Sequence, residues 1–131
     1  RWLDPAIDPS ERRPNWCFLG DPKVVNDGPV GLARFCTLRS WLSQWSIDHA
    51  RGDAQMSFVH LTQPALVVGN TADDACTPSH THRLFEAIPH DRKRLHEVQG
   101  ATHYYTGPDG RRHLGEAIGV IGDFLHTELP G

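Results

Sequence analysis

The stretch Pro64-Ala-Leu-Val-Val-Gly-Asn-Thr-Ala-Asp-Asp-Ala-Cys-Thr-Pro78 decides the fold. Ala65 to Val68 is a short apolar run behind a proline, the form of a strand covered on both faces. Pro64 has no N–H to donate, which suits the first position of a strand. Gly69 to Ala75 then leaves the strand's C-terminal end through polar residues, two adjacent acids among them. Thr77-Pro78 opens a helix, because Thr is a good N-cap and Pro is preferred at the first helical position. Ligands of open α/β sheets sit beyond the carboxyl ends of the strands. Asp73 and Asp74 therefore lie where chemistry is usually done.

Downstream of Pro78, Leu84, Phe85 and Ile88 give an amphipathic helix that Pro89 stops. Lys93 to Gln99, with Leu95 and Val98 apolar, predicts a second strand. Gly100-Ala-Thr-His103 leaves that strand. Asp109 can cap a last helix, whose apolar face is Leu114, Ala117, Ile118, Ile121, Phe124 and Leu125. Gly115, Gly119 and Gly122 each weaken that helix by roughly 1 kcal/mol. The order strand, helix, strand, helix is a βαβ unit of the α/β class, with parallel strands and a right-handed crossover. Two strands alone cannot bury both faces and both edges.

Upstream, Val30, Leu32, Phe35, Leu38, Trp41, Leu42 and Trp45 follow three- and four-residue steps and predict a helix from Pro29 to about Ser46. Ile47 to Gln55 reads as a loop or frayed turn, and Ser57 to His60 as a short apolar approach to the central strand. Pro5, Pro9, Pro14, Pro22 and Pro29, with Asn26-Asp27-Gly28, leave little room for regular elements before residue 30. Trp2, Trp16, Phe18 and Leu19 nonetheless predict an ordered, packed loop there.

The 131 residues suffice for one small domain, and the net charge of -3 has no basic stripe to suit nucleic acid. There is no long apolar run to span a membrane. Cys17, Cys36 and Cys76 are odd in number and far apart, which argues against a disulfide framework and for a reducing, cytoplasmic compartment. Arg1 and Asp4 interrupt any apolar start, so no signal peptide is expected.

One of the two acids ends one parallel strand and His103 ends the next. The helix between them brings both ends to the same sheet edge. A carboxylate beside an imidazole orients the ring and stabilises the imidazolium formed when it takes a proton from a nucleophile. That is two thirds of a Ser-His-Asp arrangement. Paired Asp residues are also common turn formers. His103 stands out among nine histidines by its position after a strand. Cys76, His80 and His82 do not make a convincing metal site. Zinc needs three or four converging ligands, and residues two apart on a helix diverge.

With these residues in place, residues 64 to 127 resemble the C-terminal part of an α/β-hydrolase. In that family an Asp four residues before a Pro follows the penultimate strand. Asp74 stands four residues before Pro78, so the resemblance gives Asp74 the acid role, with Asp73 as the runner-up. The family's histidine follows the next strand after a glycine, which Gly100 and His103 match. Residues 1 to 60 would then be a cap- or lid-like region, its helix covering an acyl pocket. Residues 61 to 131 would be the C-terminal part of the hydrolase core, with parallel strands near 64–69 and 93–99.

The family's Gly-x-Ser-x-Gly elbow is absent from the sequence, and Ser40, Ser43 and Ser46 lie in or beside the upstream helix without one. The resemblance therefore implies a partial domain. Its serine would come from an N-terminal half of the same fold, which would be its partner unless the chain self-associates. The implied reaction is hydrolysis of an ester or related acyl bond. His103 would be base then acid, Asp74 would orient it, and no cofactor or metal would be needed. Leu38, Trp41, Leu42 and Trp45 favour a small apolar substrate. The competing expectation is a non-catalytic, partner-binding remnant of that fold.

Overall fold

The computed structural model describes residues 15–17, 19–28, 36–46, 48–50 and 52–128. Among the described residues seven elements follow one another: α1 (Pro22–Asp27), α2 (Leu38–Trp45), α3 (Ala54–Phe58), β1 (Ala65–Asn70), α4 (Pro78–Ala87), β2 (Lys93–Val98) and α5 (Gly110–Glu128). β1 and β2 pair in parallel, with Ala65 opposite Lys93 and Asn70 opposite Val98. The βαβ unit expected from the sequence is present, and with it a small α/β fold.

Side-chain alternation along the strands sorts the helices onto opposite faces. On one face, Gly69 approaches Thr81 of α4 so closely that an added Cβ would meet the Thr81 γ-carbon at 2.6 Å. Lys93 on the same face reaches α4, its ammonium 4.7 Å from the centre of the Phe85 ring and donating to the Phe85 and Ile88 carbonyls. The Phe85 carbonyl also accepts the Ile88 N–H, so Lys93 adds a second donor there and reaches the Ile88 carbonyl just past the end of α4. On the other face, Val98 and Ala101 pack with Ala117 of α5, joined by Val68 and Tyr105. His96 meets Glu116, and the Arg94 guanidinium lies 5.8 Å from the centre of the Phe124 ring.

Among the described residues the sheet has these two strands alone. β1 has a helix on each face, as its apolar run predicts, but with one neighbouring strand Ala65 to Val68 all stay part-exposed. Among the described residues the buried hydrophobics are few, namely Ile88, Val98, Ala101 and Ala117. α5 divides its apolar residues in the same way. Ala117 and Phe124 turn toward the sheet, whereas Leu114, Ile118, Ile121 and Leu125 form an exposed stripe at four- and three-residue steps.

The first sixty residues differ most from expectation. The helix expected from Pro29 begins at Leu38 as far as it is described, and residues 29–35 lie outside the described residues. Thr37 caps it, its hydroxyl accepting from the Ser40 N–H. The proline-rich start contains a short helix, α1, opened by Asp21 and Pro22. The expected loop and strand approach contain α3, whose cap Asp53 accepts from the Met56 N–H. Both helices are a single polar cap followed by about a turn and a half, too short for apolar periodicity to mark. Trp16 and Leu19 are 37% and 50% exposed; Trp2 and Phe18 lie outside the described residues.

Candidate functional site

The two strands leave the sheet together, and their exits are stitched to each other. The Thr71 N–H donates to the Val98 carbonyl and the Ala72 N–H to the Ala101 carbonyl. The Gly100 N–H donates to the Thr71 hydroxyl, and the Asn70 side-chain amide to the Thr102 carbonyl. Gly100 has φ +76, a conformation that glycine adopts without strain. These four bonds fix the relative positions of the two loops that carry the acids and His103.

Asp73 is the residue that the turn after β1 folds inward. Its N–H donates to the Asn70 carbonyl, and its side chain is buried. Oδ1 accepts from the Ala75 and Cys76 N–H groups at 2.8 and 2.9 Å. Oδ2 lies 2.9 Å from His103 Nδ1. The α/β-hydrolase resemblance gives this position to Asp74, four residues before Pro78, with Asp73 as the runner-up. The structure puts Asp73 there, while Asp74 is exposed. The count fails because the polypeptide makes an Asx-type turn through residues 73–76, which faces the first acid inward and the second outward. Asp73 thus fills the turn role and the imidazole role at once.

Burial works against the ionised form of Asp73. The His103 hydrogen bond, the Cys76 and Ala75 N–H groups and the charge of His103 outweigh it and hold the carboxyl below its ordinary value. A depressed carboxyl stabilises the fold above its unfolded value, near ~3.9, and that contribution disappears as the pH falls through the folded value. Wild type is therefore expected to be more stable than Asp73→Asn at neutral pH, with the gap closing below about pH 4. Urea denaturation of both proteins between neutral and acid pH checks this. A gap that widens on acidification contradicts it.

His103 keeps its ring part-exposed, with 31% of the side chain accessible. Tyr104 meets it edge-on at 4.7 Å between ring centres. Tyr104 is itself largely exposed, and Tyr105 turns into the core, so the two tyrosines leave the ring open to solvent. Tyr105 adopts φ +52, a left-handed conformation that costs a non-glycine residue about 1 kcal/mol or more. Its N–H donates to the Thr102 carbonyl, and the Thr102 hydroxyl accepts from the Thr106 N–H. This tight turn holds His103 on the sheet's carboxyl edge.

Cys76 joins the pair. One donor atom each from Asp73, Cys76 and His103 lie within 4.8 Å of one another. The grouping weighed in the sequence, Cys76 with His80 and His82, is not formed among the described residues, and His82 Nε2 lies 3.0 Å from Glu97. Nothing in the sequence joins Cys76 to His103, nor singles out Asn70, Thr71 and Thr102 as supports.

Of the region expected to form a lid, only part lies within the described residues. Leu38, Arg39, Leu42, Ser43 and His49 line an open depression that includes neither Asp73 nor His103. Among the described residues α2 makes no contact with the strands, α4 or α5. Leu38 and Trp41 are exposed. Among the described residues Cys17, Cys36 and Cys76 form no disulfide, and no helix is long and apolar enough to cross a membrane. Comparison with family models, with curated proteins and with solved structures found no match.

Proposed function

We propose that Asp73 and His103 are the acid and the base of a serine-type hydrolase acting on an ester or related acyl bond. The observation that carries the reading is the 2.9 Å bond from His103 Nδ1 to a buried carboxylate at the sheet's carboxyl edge, on a ring that remains open to solvent. With Nδ1–H donated to Asp73, Nε2 carries the lone pair. It takes the proton of an attacking hydroxyl and returns it to the leaving group, while Asp73 stabilises the imidazolium between the two steps. Asp73 replaces Asp74 in this role.

The serine comes from outside these 131 residues, on an N-terminal half of the same fold. The apolar stripe of Leu114, Ile118, Ile121 and Leu125 and the open sheet edges support association with such a half or with a second copy. The chain alone is expected not to hydrolyse a short-chain aryl ester. The complex that it forms in its native source is expected to react with a serine-directed fluorophosphonate, and to lose that reaction when His103→Ala replaces the wild type. Aryl-ester turnover by the purified chain, or labelling unaffected by His103→Ala, would overturn the reading. A complex that forms but never labels would favour the partner-binding remnant.

A further inference from the structure

We propose that Asp73, Cys76 and His103 form a zinc site with one open coordination position. The inference does not depend on the hydrolase reading. It rests on the convergence of a carboxylate, a thiol and an imidazole within 4.8 Å of one another. That donor set is borderline-soft. It suits Zn²⁺ and disfavours Mg²⁺ and Ca²⁺, which take oxygen ligands. Three protein ligands with an open fourth position is the arrangement of zinc sites that bind an exchangeable water or substrate.

The fit can be followed atom by atom. Tetrahedral zinc with bonds of about 2.0–2.3 Å holds its ligand atoms about 3.3–3.8 Å apart. His103 Nδ1 and Asp73 Oδ2 are 2.9 Å apart with a proton between them. Zinc takes the place of that proton and spreads the pair by a few tenths of an ångström. Oδ1 keeps its two backbone N–H donors, so the carboxylate stays anchored while Oδ2 turns to the metal. Cys76 is exposed, so a rotation of its side chain brings Sγ in without disturbing the core. The thiol proton goes to solvent. The ring proton leaves Nδ1, and the neutral ring carries its one proton on Nε2. The bound ion therefore removes the lone pair with which His103 acts as a base, and zinc inhibits any reaction that needs it.

Cobalt(II) added to the intact 131-residue chain tests the site without any activity assay. A thiolate–cobalt charge-transfer band in the near ultraviolet, together with the visible bands of a tetrahedral ion, is expected and should disappear on addition of zinc. Cys17→Ser and Cys36→Ser are expected to keep the band, while Cys76→Ser and His103→Ala lose it. The surface pairs His82–Glu97 and His96–Glu116 bring no sulfur and cannot mimic it. Calorimetric zinc affinity is expected to fall at least about 10-fold in Asp73→Asn, the smallest loss usual for a change around a metal ligand. Absence of the band, its survival in Cys76→Ser, its survival in His103→Ala, or unchanged zinc affinity in Asp73→Asn would each overturn the proposal.

Discussion

Asp73→Asn is expected to lower the turnover of the assembled hydrolase by about 10⁴-fold, the loss that a serine protease suffers when its triad acid becomes an amide. The amide places an N–H or a carbonyl oxygen opposite His103 Nδ1. Where the N–H faces the ring, the ring must carry its proton on Nε2 and can no longer accept one there. Asparagine also cannot stabilise the imidazolium that forms during the reaction. Substrate affinity should change little, because neither effect removes a contact to bound substrate. Asp74→Asn, on an exposed side chain in the same turn, is expected to stay within a few-fold of wild type. Steady-state kinetics on the two variants decides between the acids. A large loss in Asp74→Asn with a small one in Asp73→Asn would return the role to the residue chosen by counting from Pro78.

The second large effect concerns stability. Gly110 is the first residue of α5, and a Cβ placed on it would overlap the Tyr105 carbonyl. Tyr105 cannot retreat easily. It holds a left-handed backbone conformation, its N–H is bonded to Thr102, and its ring packs against Val98, Ala101 and Ala117. Gly110→Ala should therefore cost about 3 kcal/mol or more, the upper range for forcing atoms into a packed site. The turn that carries His103 would shift with it. Gly115→Ala and Gly119→Ala provide the contrast. Nothing lies within 4 Å of a Cβ added at either position, and replacing glycine within a helix gains up to about 1 kcal/mol each. Urea denaturation of the three variants is expected to show one strongly destabilised protein and two slightly stabilised ones. Equal effects of the same sign would contradict the packing described for the start of α5.

The second half of the chain was legible because its signals are local and repeated. An apolar run after Pro64, a helix opened by Thr77-Pro78 and stopped by Pro89, and a second run ending at Val98 leave few alternatives. Those elements stand where the sequence places them. His103 was legible for the same reason: a short glycine-led exit from a parallel strand leaves little freedom in where it arrives. The choice between Asp73 and Asp74 was not local. It depends on a turn whose inward residue is set by the Ala75 and Cys76 N–H groups and by His103, thirty positions away.

The exposed side of α5 was hidden by its own periodicity. Leu114, Ile118, Ile121 and Leu125 share a pattern with Ala117 and Phe124, and the pattern cannot say that a two-stranded sheet is too narrow to cover them all. Cys76 was weighed with His80 and His82 and not with His103, because His103 is brought to it only by the pairing of the two strands.

The tautomer of His103 tests the central claim most directly. In the absence of metal and at a pH where the ring is neutral, nitrogen-15 NMR of the ring is expected to find the proton on Nδ1, donated to Asp73, with Nε2 bare. In Asp73→Asn that preference should weaken or reverse. A ring in wild type that carries its proton on Nε2, or whose tautomer is the same with and without the Asp73 carboxylate, would contradict the assignment of this pair as the acid and base of a hydrolytic site.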